Sequence, residues 1–277
     1  MLHASIPSPS KGVIHLGPLP LRAYAAAILL GAVVAVFLGD RRWVARGGRK
    51  GFVADVAATA VPAGLVGARL YHVLTSDQSH YFSHPVDALK IWQGGLGIWG
   101  GIAGGALGAW YVLRKHGVSF APFADALAPC LAVAQAIGRL GNYFNQELFG
   151  KPTTLPWALE IDPDHRPDGY GSYATFHPTF LYELLWDLGV AGLVVWADRR
   201  FRLGHGRAFA LYVAAYCAGR FWIGALRIDD AHHLFGIRLN DFSSGLLFLA
   251  AVGYLWVRRG SGRETVVEEP VDVPSTS

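Results

Sequence analysis

Apolar runs of about 16–23 residues recur along the chain and are separated by short, charged breaks. The runs lie at about Leu21–Leu38, Phe52–Leu74, Gly94–Leu113, Pro122–Tyr143, Thr179–Ala197, Ala208–Leu226 and Phe242–Val257. A helix needs about 20 apolar residues to cross a hydrocarbon core of about 30 Å, so this spacing predicts about seven transmembrane helices. The expected fold class is therefore all-α, a polytopic membrane protein. An irregular lead-in is expected over 1–19, a transmembrane domain over 20–258 with a polar loop at about 144–177, and a disordered tail over 259–277.

Composition supports this picture. The chain is 52% hydrophobic and 16% charged, where soluble domains average about 25% charged residues. Its net charge of +4 resides in short basic clusters between apolar runs, which is not a nucleic-acid pattern. Of 24 lysines and arginines, 14 fall after the first, third and fifth runs and at the C-terminal end. Short cytoplasmic loops carry such an excess, so the N-terminus is expected outside and the C-terminus inside. Residues 75–93, 144–177 and 228–241 then face outward, and any chemistry they carry is extracytoplasmic. Cys130 and Cys217 lie in apolar runs, at neither disulfide nor metal-ligand spacing. His72 and His232-His233 lack an acidic partner at ligand spacing, so no metal and no other cofactor is expected. The N-terminus lacks a small-residue cleavage site and does not read as a cleaved signal peptide.

Four arginines depart from the inside clusters: Arg69, Arg139, Arg220 and Arg227 each sit toward the outer end of an apolar run. An arginine in lipid costs at least ~2.5 kcal/mol on insertion scales, so such residues usually face an interior or a cavity. The bland reading is snorkelling to outer headgroups; four on one leaflet point to a shared anion site. Guanidinium binds phosphate through paired hydrogen bonds, which suits a phospholipid headgroup. Arg220 and Arg227 share a helix face with Gly224 between them, and Arg139 shares one with Asn142. The stretch Gly138-Arg-Leu-Gly-Asn-Tyr-Phe-Asn-Gln-Glu-Leu-Phe-Gly150 is too polar for simple packing at a membrane boundary. In the third run, Gly97, Gly101 and Gly105, and Gly100, Gly104 and Gly108, repeat every four residues, as in close helix packing. His177-Pro178-Thr179-Phe180-Leu181-Tyr182-Glu183 opens the fifth run. There His177 is either a proton acceptor or a helix-start hydrogen bonder, and Glu183 needs a partner, for which an arginine is the obvious candidate.

The segment from Gly138 to Gly150, with Lys151 after it, resembles the signature of prolipoprotein diacylglyceryl transferases, an Arg-x-Gly-Asn core followed by Asn-x-Glu-Leu and Gly. The resemblance extends to Arg22-Ala-Tyr24, Gly67-Ala-Arg69, Gly94-Gly95-Leu96 through Gly100-Gly101, His177 through Glu183, and Gly219-Arg220-Phe221 through Arg227, covering about residues 20–257. It implies a multi-pass enzyme of the bacterial plasma membrane that takes phosphatidylglycerol from the outer leaflet. The diacylglyceryl group goes to the lipobox cysteine thiol of a prolipoprotein, releasing glycerol 1-phosphate, the first step of lipoprotein maturation. By this resemblance Arg139 and Arg220 are the arginines that act on the headgroup; His177 and Glu147 complete the catalytic candidates. The substrate-binding candidates are Tyr24, Arg69, Trp99, Asn142, Asn145, Gly150 and Arg227.

Two positions depart from the family pattern. Trp99 stands where a histidine, proposed as the thiol-activating base, is expected. The base is then elsewhere, with His177 or Glu147 as candidates, or no side-chain base is required. Gly224 stands where a glutamate is expected one turn after Arg220, so the arginines need another partner: Asp229, Asp230, Glu183 or the substrate phosphate. A transporter for an anionic lipid is the alternative of a different class, and a non-catalytic binding paralogue a third. Charges gathered toward one face and no visible inverted repeat speak against transport.

Overall fold

The computed structural model describes residues 5–9, 11–16, 19–76, 78–91, 94–229, 233–234 and 237–264. Asp230, His232 and the tail from residue 265, about which the sequence raised expectations, lie outside these. Helices dominate: α1 Ala23–Val44, α2 Phe52–Thr75, the short α3 Gln78–Ser83, α4 Ile98–Lys115, α5 Phe120–Asn145, α6 Thr179–Phe201, α7 Arg207–Gly224 and α8 Leu239–Val257. Apart from α3, these coincide with the seven apolar runs. Four of them, α1, α2, α5 and α6, are long and apolar enough by length and composition to cross a membrane. The other three are 18 or 19 residues long. Their apolar content is diluted by the glycines and terminal Arg114-Lys115 of α4, by Arg207 and Arg220 in α7, and by Asn240-Asp241 opening α8.

Short strands accompany the helices. β1 (Ser5–Ile6) runs parallel to β4 (Ala158–Glu160), which pairs antiparallel with β5 (Thr175–Phe176). β2 (Val13–Leu16) and β3 (Leu19–Arg22) form a hairpin, as do β6 (His233–Leu234) and β7 (Ile237–Arg238). The stretch expected as an irregular lead-in thus carries β1 and β2.

The chain divides into two compact units. In the unit of residues 39–123, α2 and α4 pack through their glycines. A Cβ on Gly67 would lie 2.3 Å from the Gly100 carbonyl oxygen, and one on Gly104 would lie 2.4 Å from that of Ala63. The two backbones touch because the glycines at the contact carry no side chain, which is why they recur every four positions. α4 starts later than the apolar pattern suggests because Gly94 and Gly95 are left-handed, at φ 93° and 74°. Trp43, fully buried, packs against Phe52 and Phe123 at one end of this unit.

The unit of residues 1–38 and 124–264 holds most of α5 with α6, α7 and α8. Its core joins Ala128 and Ala132 of α5, Val190, Ala191, Val194 and Ala197 of α6, and Ala208 and Tyr212 of α7. Small α5 residues let the helices approach. Asp125, fully buried, accepts hydrogen bonds from the backbone N–H of Gly206 and Phe209, capping α7. A second cluster, Phe149, Leu159, Ile161, Phe176 and Phe180, ties the strands to the start of α6.

Candidate active site

Three helices of the larger unit converge on one carboxylate. Glu183, in the first turns of α6, is 4% exposed. Its Oε1 accepts a 2.6 Å hydrogen bond from Arg220 Nη1 of α7. Its Oε2 lies 2.9 Å from Arg139 Nε of α5. That N–H is not aligned on the oxygen, so the contact is an ion pair and not a hydrogen bond. Arg227 Nη1 lies 3.9 Å from the same carboxylate, while its Nε and Nη2 donate a bidentate pair to Asp229 at 2.7 and 2.9 Å. Arg139 Nη2 also reaches the Tyr216 hydroxyl, at 3.5 Å. Arg139, Arg220 and Arg227 are therefore brought together on Glu183, with Asp229 holding Arg227; both carboxylates are among the partners the sequence left open.

The polar stretch after Arg139 is a rigid bracket. α5 ends at Asn145 because Gln146 turns left-handed, φ 50°, and Leu148 follows at 58°. Such conformations cost about 1–3 kcal/mol each in residues with a Cβ and persist only when held from outside. Gln146 is held by its amide, which donates to Asp162 Oδ2 at 2.6 Å and accepts from the Asp162 N–H at 2.8 Å. Leu148 is held through its carbonyl, which accepts from the Thr179 hydroxyl. Inside the bracket, Glu147 Oε1 accepts from Asn142 Nδ2 at 2.9 Å and from Asn145 Nδ2 at 3.3 Å. Glu147 thus aligns the two asparagines.

Gly150 bridges Arg227 as an isolated β pair, and its N–H donates to the His177 carbonyl at 2.9 Å. A Cβ there would lie 2.8 Å from His177 Cβ and 3.1 Å from the Leu226 carbonyl oxygen, so only glycine fits. Gly141 plays the same part for Tyr24, whose ring would meet a Cβ at 2.6 Å. Tyr24 is also close enough to Arg139 to act on it electrostatically.

The remaining candidates make other contacts. His177 Nδ1 is 3.1 Å from the Tyr182 hydroxyl, and Tyr182 accepts from Trp157 Nε1. Burial, and then the charge of Lys151, lower the pKa of His177 below the ordinary histidine value, so the ring is neutral near pH 7. Arg69 belongs to the smaller unit, where its guanidinium donates to the carbonyls of Asp87, Ala88, Gly94 and Gly95 at 2.6–3.0 Å. Its donors organise the loop leading into α4. Trp99, second residue of α4, is 37% exposed.

The structure also adds residues that the sequence reading passed over. Asp187, one turn beyond Glu183, is buried beside the arginines. Its signal was an acidic residue inside an apolar run, at the spacing that places it on the face of Glu183. Asp241 occupies the space above Gly224: a Cβ on Gly224 would lie 2.9 Å from Asp241 Oδ1. The glutamate missing at Gly224 thus leaves room that a carboxylate from α8 fills, a tertiary contact no linear spacing displays.

Comparison with known proteins identifies the family. The family model for prolipoprotein diacylglyceryl transferase matches residues 11–257. Phosphatidylglycerol–prolipoprotein diacylglyceryl transferase 1 of Streptomyces coelicolor is 63% identical over 96% of this chain and 78% of its own length. The transferase of Streptomyces griseus is 61% identical over 97% and 83%, and that of Mycobacteroides abscessus 53% over 91% and 78%. With a match over nearly the whole membrane region and an intact Arg139-to-Gly150 bracket, the chain belongs to the prolipoprotein diacylglyceryl transferase family.

Proposed function

We propose that this protein transfers the diacylglyceryl group of phosphatidylglycerol to the lipobox cysteine thiol of prolipoproteins, forming a thioether and releasing glycerol 1-phosphate. In this reading all seven long helices cross the bacterial plasma membrane, with the N-terminus outside and the C-terminus inside. The observation that carries it is the convergence of Arg139, Arg220 and Arg227 on Glu183. Glu183 pairs with all three guanidinium groups at 2.6–3.9 Å, and the lipid phosphate would share their donors.

The chemistry follows from charge. The thiolate is the nucleophile. Its sulfur bonds to the glyceryl carbon as the bond from that carbon to the phosphate oxygen breaks. A phosphodiester monoanion becomes a phosphomonoester dianion, so negative charge grows on the departing phosphate. Guanidinium groups already fixed at that place stabilise the transition state more than the ground state. Arg139 and Arg220 take this role, with Arg227, Asn142, Asn145, Gly150 and Tyr24 shaping the headgroup site. Arg69 and Trp99 remain substrate-binding candidates by the family resemblance; within its own unit Arg69 holds the loop before α4, on which Trp99 follows. His177, neutral near pH 7, and Glu147 are the candidate acceptors for the thiol proton.

Purified protein supplied with phosphatidylglycerol and a lipobox peptide is expected to release glycerol phosphate only when the peptide bears its cysteine. Absence of release from a well-folded preparation would sink the reading. His177→Gln and Glu147→Gln, made separately, identify the proton acceptor. The variant that lacks it loses turnover, and unchanged rates in both would remove both candidates.

A further inference from the structure

The reaction outlined above makes no use of Asp187. Four residues after Glu183, it shares that residue's face of α6. It is 2% exposed, and its Oδ2 is enclosed and accepts no hydrogen bond among the described residues. The positive groups acting on it are Arg139 and Arg220. Arg139 has a complementary deficit, because its enclosed Nε–H finds no aligned acceptor. An unsatisfied donor and an unsatisfied acceptor of opposite charge in one buried cluster are costly to keep apart. A second arrangement, in which the Asp187 carboxylate takes that Nε–H, would satisfy both groups. When a phosphate takes up the donors of Arg139 and Arg220, two anions, the phosphate and Glu183, compete for the same guanidinium groups. Asp187, a further carboxylate whose charge acts on Arg139, can then take the Nε–H that Glu183 gives up.

Resting on the transferase reading, we propose that Asp187 is a positioning residue: it takes the Nε–H of Arg139 when the lipid phosphate displaces Glu183, and so keeps that guanidinium aimed at the phosphate. The groups involved are all in one unit, on α5, α6 and α7.

The test uses the full-length protein with phosphatidylglycerol and a lipobox peptide. Asp187→Asn is expected to lower kcat/KM for the lipid about tenfold or more, leaving KM for the peptide within about twofold of wild type. Asp187→Glu restores most of the loss. In an Arg139→Lys background, which has no Nε–H, Asp187→Asn costs nothing further, because the two residues act as one unit. Wild-type kinetics in Asp187→Asn, or an equal extra loss in the Arg139→Lys background, would overturn the proposal while wild-type release still stands. If Asp187→Asn does not fold, Asp187→Glu is read instead. The proposal then requires its deficit to fall on the lipid alone and to vanish with Arg139→Lys, and a deficit that persists there overturns it. No release from wild type would overturn the transferase reading itself.

Discussion

At the scale of single residues, the site is a set of buried charges whose places are fixed by neighbours unable to be anything else. Gly150 and Gly141 have no space for a methyl group, and Gln146 and Leu148 hold left-handed backbone through side-chain bonds. Glu183 is the hub, and breaking a buried ion pair by removing one partner costs about 3–5 kcal/mol. Glu183→Gln is expected to lower the melting temperature in detergent and to lower turnover together; a stable, active variant would show that the arginines need no anchor. His177 gives a pH prediction. Its folded pKa lies below the ordinary 6.5, so between those values the unfolded chain binds more protons. Stability then falls as pH drops below about 6.5, and His177→Gln should flatten that part of the melting-temperature profile. An unchanged acid limb in the variant would assign it to other groups. Arg139, Arg220, Arg227 and their need for Glu183 were legible because charge in an apolar run has few explanations. Asp187 was passed over although it obeys the same rule. Arg69 looked like its three counterparts, yet its guanidinium is committed to backbone carbonyls, a partner choice that depends on loop geometry.

At the scale of elements, the apolar runs located all seven long helices, with ends off by up to about six residues, because long apolar runs bounded by charge leave few alternatives to a buried or spanning helix. The ends were harder to read. The third run was expected from Gly94, but left-handed glycines delay α4 to Ile98. The small strands of the lead-in and polar loop escaped notice, since pairs such as Ser5–Ile6 with Ala158–Leu159 join residues over 150 positions apart. The α2–α4 glycine seam makes the clearest mutational prediction. Gly67→Leu places a side chain against the Gly100 carbonyl and should destabilise by about 1–3 kcal/mol or more through overpacking. Gly189→Ala on α6 is the control: nothing lies within 4 Å of its added methyl group, so it should be neutral or slightly stabilising. Equal thermal shifts for the two in detergent would contradict the seam.

At the scale of the whole molecule, the account requires a direction across the membrane. In the proposed topology the basic clusters put residues 144–177 outside and the C-terminal end inside. Single cysteines introduced at Asp168 and at Ser261 test this, because Cys130 and Cys217 are buried. A membrane-impermeant thiol reagent applied to intact spheroplasts should label Asp168→Cys only, and labelling of Ser261→Cys instead would invert the topology. Orientation matters because the lipid and the incoming prolipoprotein cysteine must meet the arginines on one face. The central claim is that these arginines perform the transfer, and release of glycerol phosphate by Arg139→Ala beside wild type tests it most directly. The account predicts cysteine-dependent release by wild type and none by a variant that accumulates in the membrane to the same level. Wild-type turnover in Arg139→Ala would contradict it.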